Sequence, residues 1–195
     1  MSILTLLMAM AVWGIVHSFL ASHLAKDLFP MKSGGMNLYR LAYNVFAVVS
    51  FLPVLYLMGT LPNQPLYKIT GMWSYLMMGG QLLAALFLVV VLLQTDTLSF
   101  MGLRQLFEKE KTGTLVTSGF YRYMRHPLYT FGLLFIWLTP AVTLNSLTVF
   151  VGATIYILIG AYFEERKLLR DFGEAYAEYK RKTPMLIPGL MFGKD

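Results

Sequence analysis

Between Leu128 and Phe163 the chain runs for 36 residues without a charged side chain. A helix that crosses a bilayer takes about 20 apolar residues. The run is therefore too long for one span and long enough for a hairpin. Thr139-Pro140 and Leu144-Asn145-Ser146 are turn formers near its middle, which predicts two helices with a tight reversal, the first of them short or tilted. Three further apolar runs, Ile3 to Ala21, Tyr39 to Met58 and Met72 to Gln94, each suit one span. Pro53 predicts a kink in the second, and Leu61 to Thr70 reads as a short proline-containing loop. Charged residues make up only 13% of the chain, against roughly 25% in soluble domains. From Glu164 the chain turns polar and reads as an amphipathic helix to about Lys182, after which Pro184 and Pro188 end regular structure. The expected fold is an all-α integral membrane protein. It has about five transmembrane helices, the last two a hairpin, and a cytoplasmic C-terminal amphipathic helix. All of it forms one membrane domain: a three-helix part over 1–95 and a hairpin-bearing part over 96–195. The first run begins at Ile3 with no basic leader and no small-residue cleavage site, so it reads as a retained span.

Lysine and arginine orient the spans. Fifteen of the sixteen fall between spans one and two, between three and four, or after span five; only Lys68 lies on the other side. All ten acidic residues share the side of the fifteen. The positive-inside rule then puts the N-terminus out and the C-terminus in, with ionic chemistry at the cytoplasmic face of the membrane. The net charge of +6 reads as membrane anchoring, so the expected partner is the bilayer and not nucleic acid. With no cysteine, disulfides, thiolate metal sites and a cysteine nucleophile are excluded, and no metal site is expected.

Two polar segments flank the hairpin. The first contains Tyr121, Arg122, Arg125, His126, Pro127 and Tyr129. Pro127 suits the first turn of a helix, where its missing N–H costs nothing. Arg125 and His126 then sit at a helix N-terminus, which favours a carboxylate or phosphate. The second segment begins Glu164-Glu165, and Glu165, Leu168, Leu169, Phe172, Tyr176 and Tyr179 share one helical stripe. The hairpin brings the two segments together. Two carboxylates, an arginine, a histidine and tyrosines on one rim suit a ligand with a cation, a carboxylate and a flat ring; aromatic faces favour a sulfonium. Taken singly, each residue type has a plainer reading: glutamates that end a span, arginines as anchors, tyrosines as an interfacial belt.

The pattern resembles a known family. Gly119-x-Tyr121-x-x-x-Arg125-His126-Pro127-x-Tyr129, a hairpin, then Glu164-Glu165-x-x-Leu168-x-x-x-Phe172-Gly173-x-x-Tyr176-x-x-Tyr179 and Pro184-x-x-x-Pro188 is similar to the isoprenylcysteine carboxyl methyltransferase superfamily. The resemblance implies S-adenosylmethionine as cofactor. It assigns Tyr121, Arg125, His126, Pro127, Tyr129, Glu164 and Glu165 to the cofactor site, with Tyr176 and Tyr179 closing it. Trp13-x-x-x-His17-Ser18, Tyr39-Arg40-Leu41-x-Tyr43-Asn44 and Phe100-Met101-Gly102-Leu103-Arg104-Gln105 narrow the likeness to bacterial methanethiol S-methyltransferases and NnrU-type membrane proteins.

Methyl transfer from a sulfonium is an in-line displacement that needs alignment above all. A thiol acceptor must reach its thiolate form, and Glu165, Glu164 and His126 are candidate bases. Catalytic work is assigned to Glu165, His126 and Arg125, and acceptor contacts to His17 and Arg104. Prenylcysteine-type relatives carry an arginine four residues before the glutamate pair; here that position is Gly160, which moves the expected acceptor from a carboxylate to a thiol or another small or lipophilic molecule. Two alternatives stand: carboxyl or phospholipid amine methylation, and a haem-binding isomerase or redox protein of NnrU type, in which His17 or His126 would hold the haem.

Overall fold

The computed structural model describes residues 1–22, 25, 35–95 and 114–190. Six α-helices and one two-stranded ribbon are present among them. In chain order they are α1 (Ser2–Ala21), α2 (Gly35–Thr60), β1 (Pro65–Lys68), α3 (Met72–Gln94), α4 (Pro127–Trp137), β2 (Ala141–Thr143), α5 (Leu144–Phe172) and α6 (Glu174–Lys182), with a single 3₁₀ turn at Gly119–Arg122. Helices α1, α3, α5 and the Tyr39–Thr60 part of α2 are long and apolar enough to cross a membrane. The expected fourth span is α4, which has 11 residues. At 1.5 Å per residue it is about 16 Å long, roughly half the hydrocarbon core. Four long apolar helices and one short one thus stand where five spans are expected.

The described residues group into two compact units. The first holds Met1–Tyr67 and Val142–Gly152, the second Lys68–Thr95, Thr114–Ala141 and Ala153–Leu190. In the first, α1 and α2 pack antiparallel, and their contacts form a ladder. Tyr39 donates its hydroxyl to the Leu20 carbonyl at 2.6 Å, Tyr43 Oη meets His17 Nε2 at 2.8 Å, and Trp13 Nε1 donates to Ser50 Oγ at 3.1 Å. The core below consists of Leu6, Val54 and Val149. At the far end, buried Asn145 donates through Nδ2 toward the carbonyls of Leu61, Met58 and Pro62. These are acceptors at and just beyond the end of α2 that lack an intrahelical partner.

In the second unit α3 packs along α4. Phe87, Phe120 and Phe131 form an aromatic triangle with ring centroids 5.1 to 5.3 Å apart, beside buried Val91 and Met124. The last carbonyls of the short α4 have no intrahelical partner. Gln81 of α3 supplies one, donating Nε2 to the Phe135 carbonyl at 2.9 Å. Trp137 Nε1 donates to Thr154 Oγ1 at 3.0 Å and ties the hairpin's two arms.

Two local expectations change. The proposed loop at Leu61–Thr70 carries β1, which pairs with β2; Leu144 N donates to Gln64 O and Ile69 N to Pro140 O, so the ribbon is antiparallel. The polar helix expected from Glu164 to Lys182 is two pieces. Helix α5 runs unbroken through the glutamates to Phe172, with no proline between Ser146 and Phe172 to interrupt it. Gly173 then takes φ +54°, a conformation in which a Cβ is strained, and α6 starts in a new direction.

Candidate active site

All the geometry of the site lies within the second unit. Pro127 is the first residue of α4 and His126 its N-cap. The backbone N–H groups of Arg125 and His126 do not face a ligand. They donate to the carbonyls of Pro184 and Met185 at 2.9 and 3.0 Å, and Thr130 Oγ1 donates to Leu186 O at 2.8 Å. The segment after α6 is thus strapped along the start of α4. The N–H groups just before α4 are thus bonded within the chain.

Arg125 is engaged as well. Its Nε donates to Glu165 Oε1 at 2.6 Å, and its Nη1 donates to the carbonyls of Lys180 and Thr183. Glu165 is buried, and its second oxygen meets Lys180 Nζ at 3.1 Å. His126 Nε2 approaches Glu165 Oε1 at 3.3 Å while Nδ1 faces Glu164 Oε2 at 3.7 Å. Tyr129 stacks on the His126 ring with centroids 5.2 Å apart and donates its hydroxyl to Glu164 Oε2 at 2.7 Å.

These groups border a cavity of about 150 Å³, lined from α4's start by Tyr121, Arg125 and His126, from α5 by Glu164, Leu168 and Phe172, and from α6 by Tyr176 and Tyr179. Thr95 and Thr114, Leu115 and Val116 complete the wall. Tyr179 reaches back to donate its hydroxyl to the Tyr121 carbonyl at 2.5 Å. Tyr176 is fully buried, and its hydroxyl has no partner among the described residues. Burial and then the Glu164 charge push the Tyr121 hydroxyl up to about 12; burial pushes Tyr179 up to about 12. Burial, followed by the charge of Glu165, raises Tyr176 further. All three remain phenols at neutral pH.

Of the residues singled out from sequence, Tyr121, Arg125, His126, Glu164, Tyr176 and Tyr179 meet at this one cavity. Pro127, Tyr129 and Glu165 lie behind its wall, the first as a helix start and the others as partners of the lining groups. His17 belongs to the first unit, where it stacks on Trp13 and bonds Tyr43. Arg104 lies outside the described residues. Sequence reasoning passed over Lys180, whose only signal is its place on α6 one turn beyond Tyr176.

Comparison with known proteins adds the decisive observation. The sequence profile of the phospholipid methyltransferase family matches residues 72–175, from the start of α3 into α6 and across both halves of the cavity. The chain belongs to this family. It is a membrane methyltransferase. Methanethiol S-methyltransferase 2 of Bradyrhizobium diazoefficiens is 30% identical over 97% of this chain and 74% of its own length. Methanethiol S-methyltransferase of Crocosphaera subtropica is 40% identical over 60% of this chain and 50% of its own. Human protein-S-isoprenylcysteine O-methyltransferase is 33% identical over 42% of this chain and 30% of its own. This chain thus spans three quarters of one curated relative and half of another. No solved structure gives a significant match. The family's match encloses Tyr121 through Glu165 and stops just before Tyr176.

Proposed function

We propose that this methyltransferase uses S-adenosylmethionine to methylate a thiol at the inner face of a membrane. The observation that carries the cofactor is the unpartnered hydroxyl of buried Tyr176 in the cavity wall, a donor that costs stability unless a ligand atom meets it. Tyr121, Phe172, Tyr176 and Tyr179 supply aromatic faces for a sulfonium. Bound there, the cofactor supplies an activated methyl group. The protein's own share is to hold that group and the acceptor in line and to exclude water.

The thiol follows from charge. A carboxylate acceptor needs a cation, and Gly160 stands where prenylcysteine-type relatives place an arginine. Arg125 does not replace it, because Glu165 and two carbonyls already hold its guanidinium. Relatives described as methanethiol S-methyltransferases agree with a thiol. The haem alternative has no comparable support: His126 faces carboxylates with both ring nitrogens, and His17 is bonded to Tyr43. In this reading one membrane domain carries five spans, α4 as the short fourth, with the N-terminus outside and α6 cytoplasmic.

Calorimetry with S-adenosylhomocysteine tests the cofactor. Purified protein binds it saturably, and Tyr176→Phe raises the melting temperature of the ligand-free protein, because an unsatisfied buried hydroxyl is removed, while weakening binding about 5- to 10-fold, the value of one hydrogen bond of about 1 to 1.5 kcal/mol. A radiolabelled methyl donor offered with thiols, prenylcysteines and lipid amines tests the acceptor. Label found only in carboxyl esters or lipid amines would overturn the thiol.

A further inference from the structure

Three kinds of group beside the cavity carry chemistry able to take a proton from a bound thiol, and their surroundings separate them. Glu165 does not line the cavity. Arg125 and His126 share its Oε1 and Lys180 meets its Oε2, so its charge is compensated and both oxygens are used. His126 holds Nε2 3.3 Å from Glu165 Oε1 and turns Nδ1 toward Glu164 at 3.7 Å, so both ring nitrogens face carboxylates. The tyrosines that feel the glutamate charges most, Tyr121 and Tyr176, are held as phenols.

Glu164 differs from all of these. Its side chain is 45% exposed and lines the cavity. Tyr129 and His126 both approach Oε2, and Oε1 has no partner among the described residues. Its neighbour Glu165, by contrast, is held by Arg125 and Lys180. One oxygen is thus fixed and the other presented, which is the arrangement a general base needs.

We propose that Glu164 is the proton acceptor for the thiol, and that Tyr129 and His126 are positioning residues that aim its free oxygen. The proposal rests on the thiol reading above. The S–H proton passes to Glu164 Oε1 as the acceptor sulfur attacks the methyl carbon of the sulfonium donor. The new carbon–sulfur bond forms as the old one breaks, and the electron pair returns to the donor sulfur, which leaves as a neutral thioether. Glu164, half open to solvent, then releases the proton to water.

The experiment compares an alkanethiol, un-ionised at neutral pH, with thiophenol, which is already largely thiolate and needs no base. In full-length protein, Glu164→Gln lowers kcat/KM about 100-fold with the alkanethiol and less than about 5-fold with thiophenol. Affinity for S-adenosylhomocysteine, measured by calorimetry, falls by far less than the alkanethiol rate, and rates are read at saturating methyl donor so that the two losses separate. Glu164→Asp, which keeps the carboxylate, recovers part of the alkanethiol rate, and Tyr129→Phe shows a smaller loss with the same thiol selectivity. Equal losses with the two thiols would overturn the proposal, as would a loss of S-adenosylhomocysteine affinity as large as the loss in rate. Wild-type protein that binds S-adenosylhomocysteine yet methylates no thiol would instead overturn the thiol reading, and the proposal with it.

Discussion

Glu165 and Arg125 are joined at 2.6 Å with both side chains less than one-tenth exposed. A buried ion pair adds little net stability over an apolar pair, yet breaking one costs up to about 3–5 kcal/mol, and without Arg125 buried Glu165 keeps only Lys180 and His126 as partners. Arg125→Met therefore lowers the melting temperature markedly in a detergent thermal scan. Arg125→Met combined with Glu165→Leu regains much of the loss, because no buried charge remains, while S-adenosylhomocysteine binding stays weak. Additive losses in this cycle would show that the pair does not act as a unit. The residue identities here were readable from the motif, since arginine and glutamate on the two sides of a hairpin are brought to one rim. Which of two adjacent glutamates faces the cavity was not readable. That depends on the turn of α5 and on Lys180, which approaches from another helix.

At the scale of elements, the break between α5 and α6 sets the site's shape. A single helix through residue 182 would carry Tyr176 and Tyr179 onward along the α5 axis. Gly173, at φ +54° and ψ −130°, redirects α6 so that both tyrosines line the cavity with Phe172 and Leu168. An added Cβ at Gly173 meets nothing within 4 Å, so the cost of Gly173→Ala is backbone strain alone, about 1–3 kcal/mol. The expected result is a lower melting temperature together with weaker S-adenosylhomocysteine binding. An unchanged melting temperature would mean that the conformation is not required. The ribbon of β1 and β2 escaped the sequence reading for a related reason. Neither strand has an alternating apolar pattern, and the two pair across more than 70 intervening residues.

For the whole molecule the testable quantity is sidedness. The native chain has no cysteine, so single cysteines report cleanly. Lys68→Cys reacts with a membrane-impermeant maleimide in intact cells, whereas Lys167→Cys reacts only after permeabilisation; the reverse pattern would invert the proposed orientation. Both positions are exposed. What the sequence by itself determined follows from properties each segment carries alone. The length of an apolar run, the side on which its basic residues gather and the presence of a turn former fix the four long helices and the hairpin, because the bilayer acts on every segment separately. The short α4, the strap of Pro184 to Leu186, the capping of Phe135 by Gln81 and the unequal surroundings of Glu164 and Glu165 were decided only by the tertiary structure. The strap, the capping and the glutamates' surroundings depend on contacts between residues 15 to 59 positions apart, and hydrophobic period and charge say nothing about which buried polar atom will find which partner.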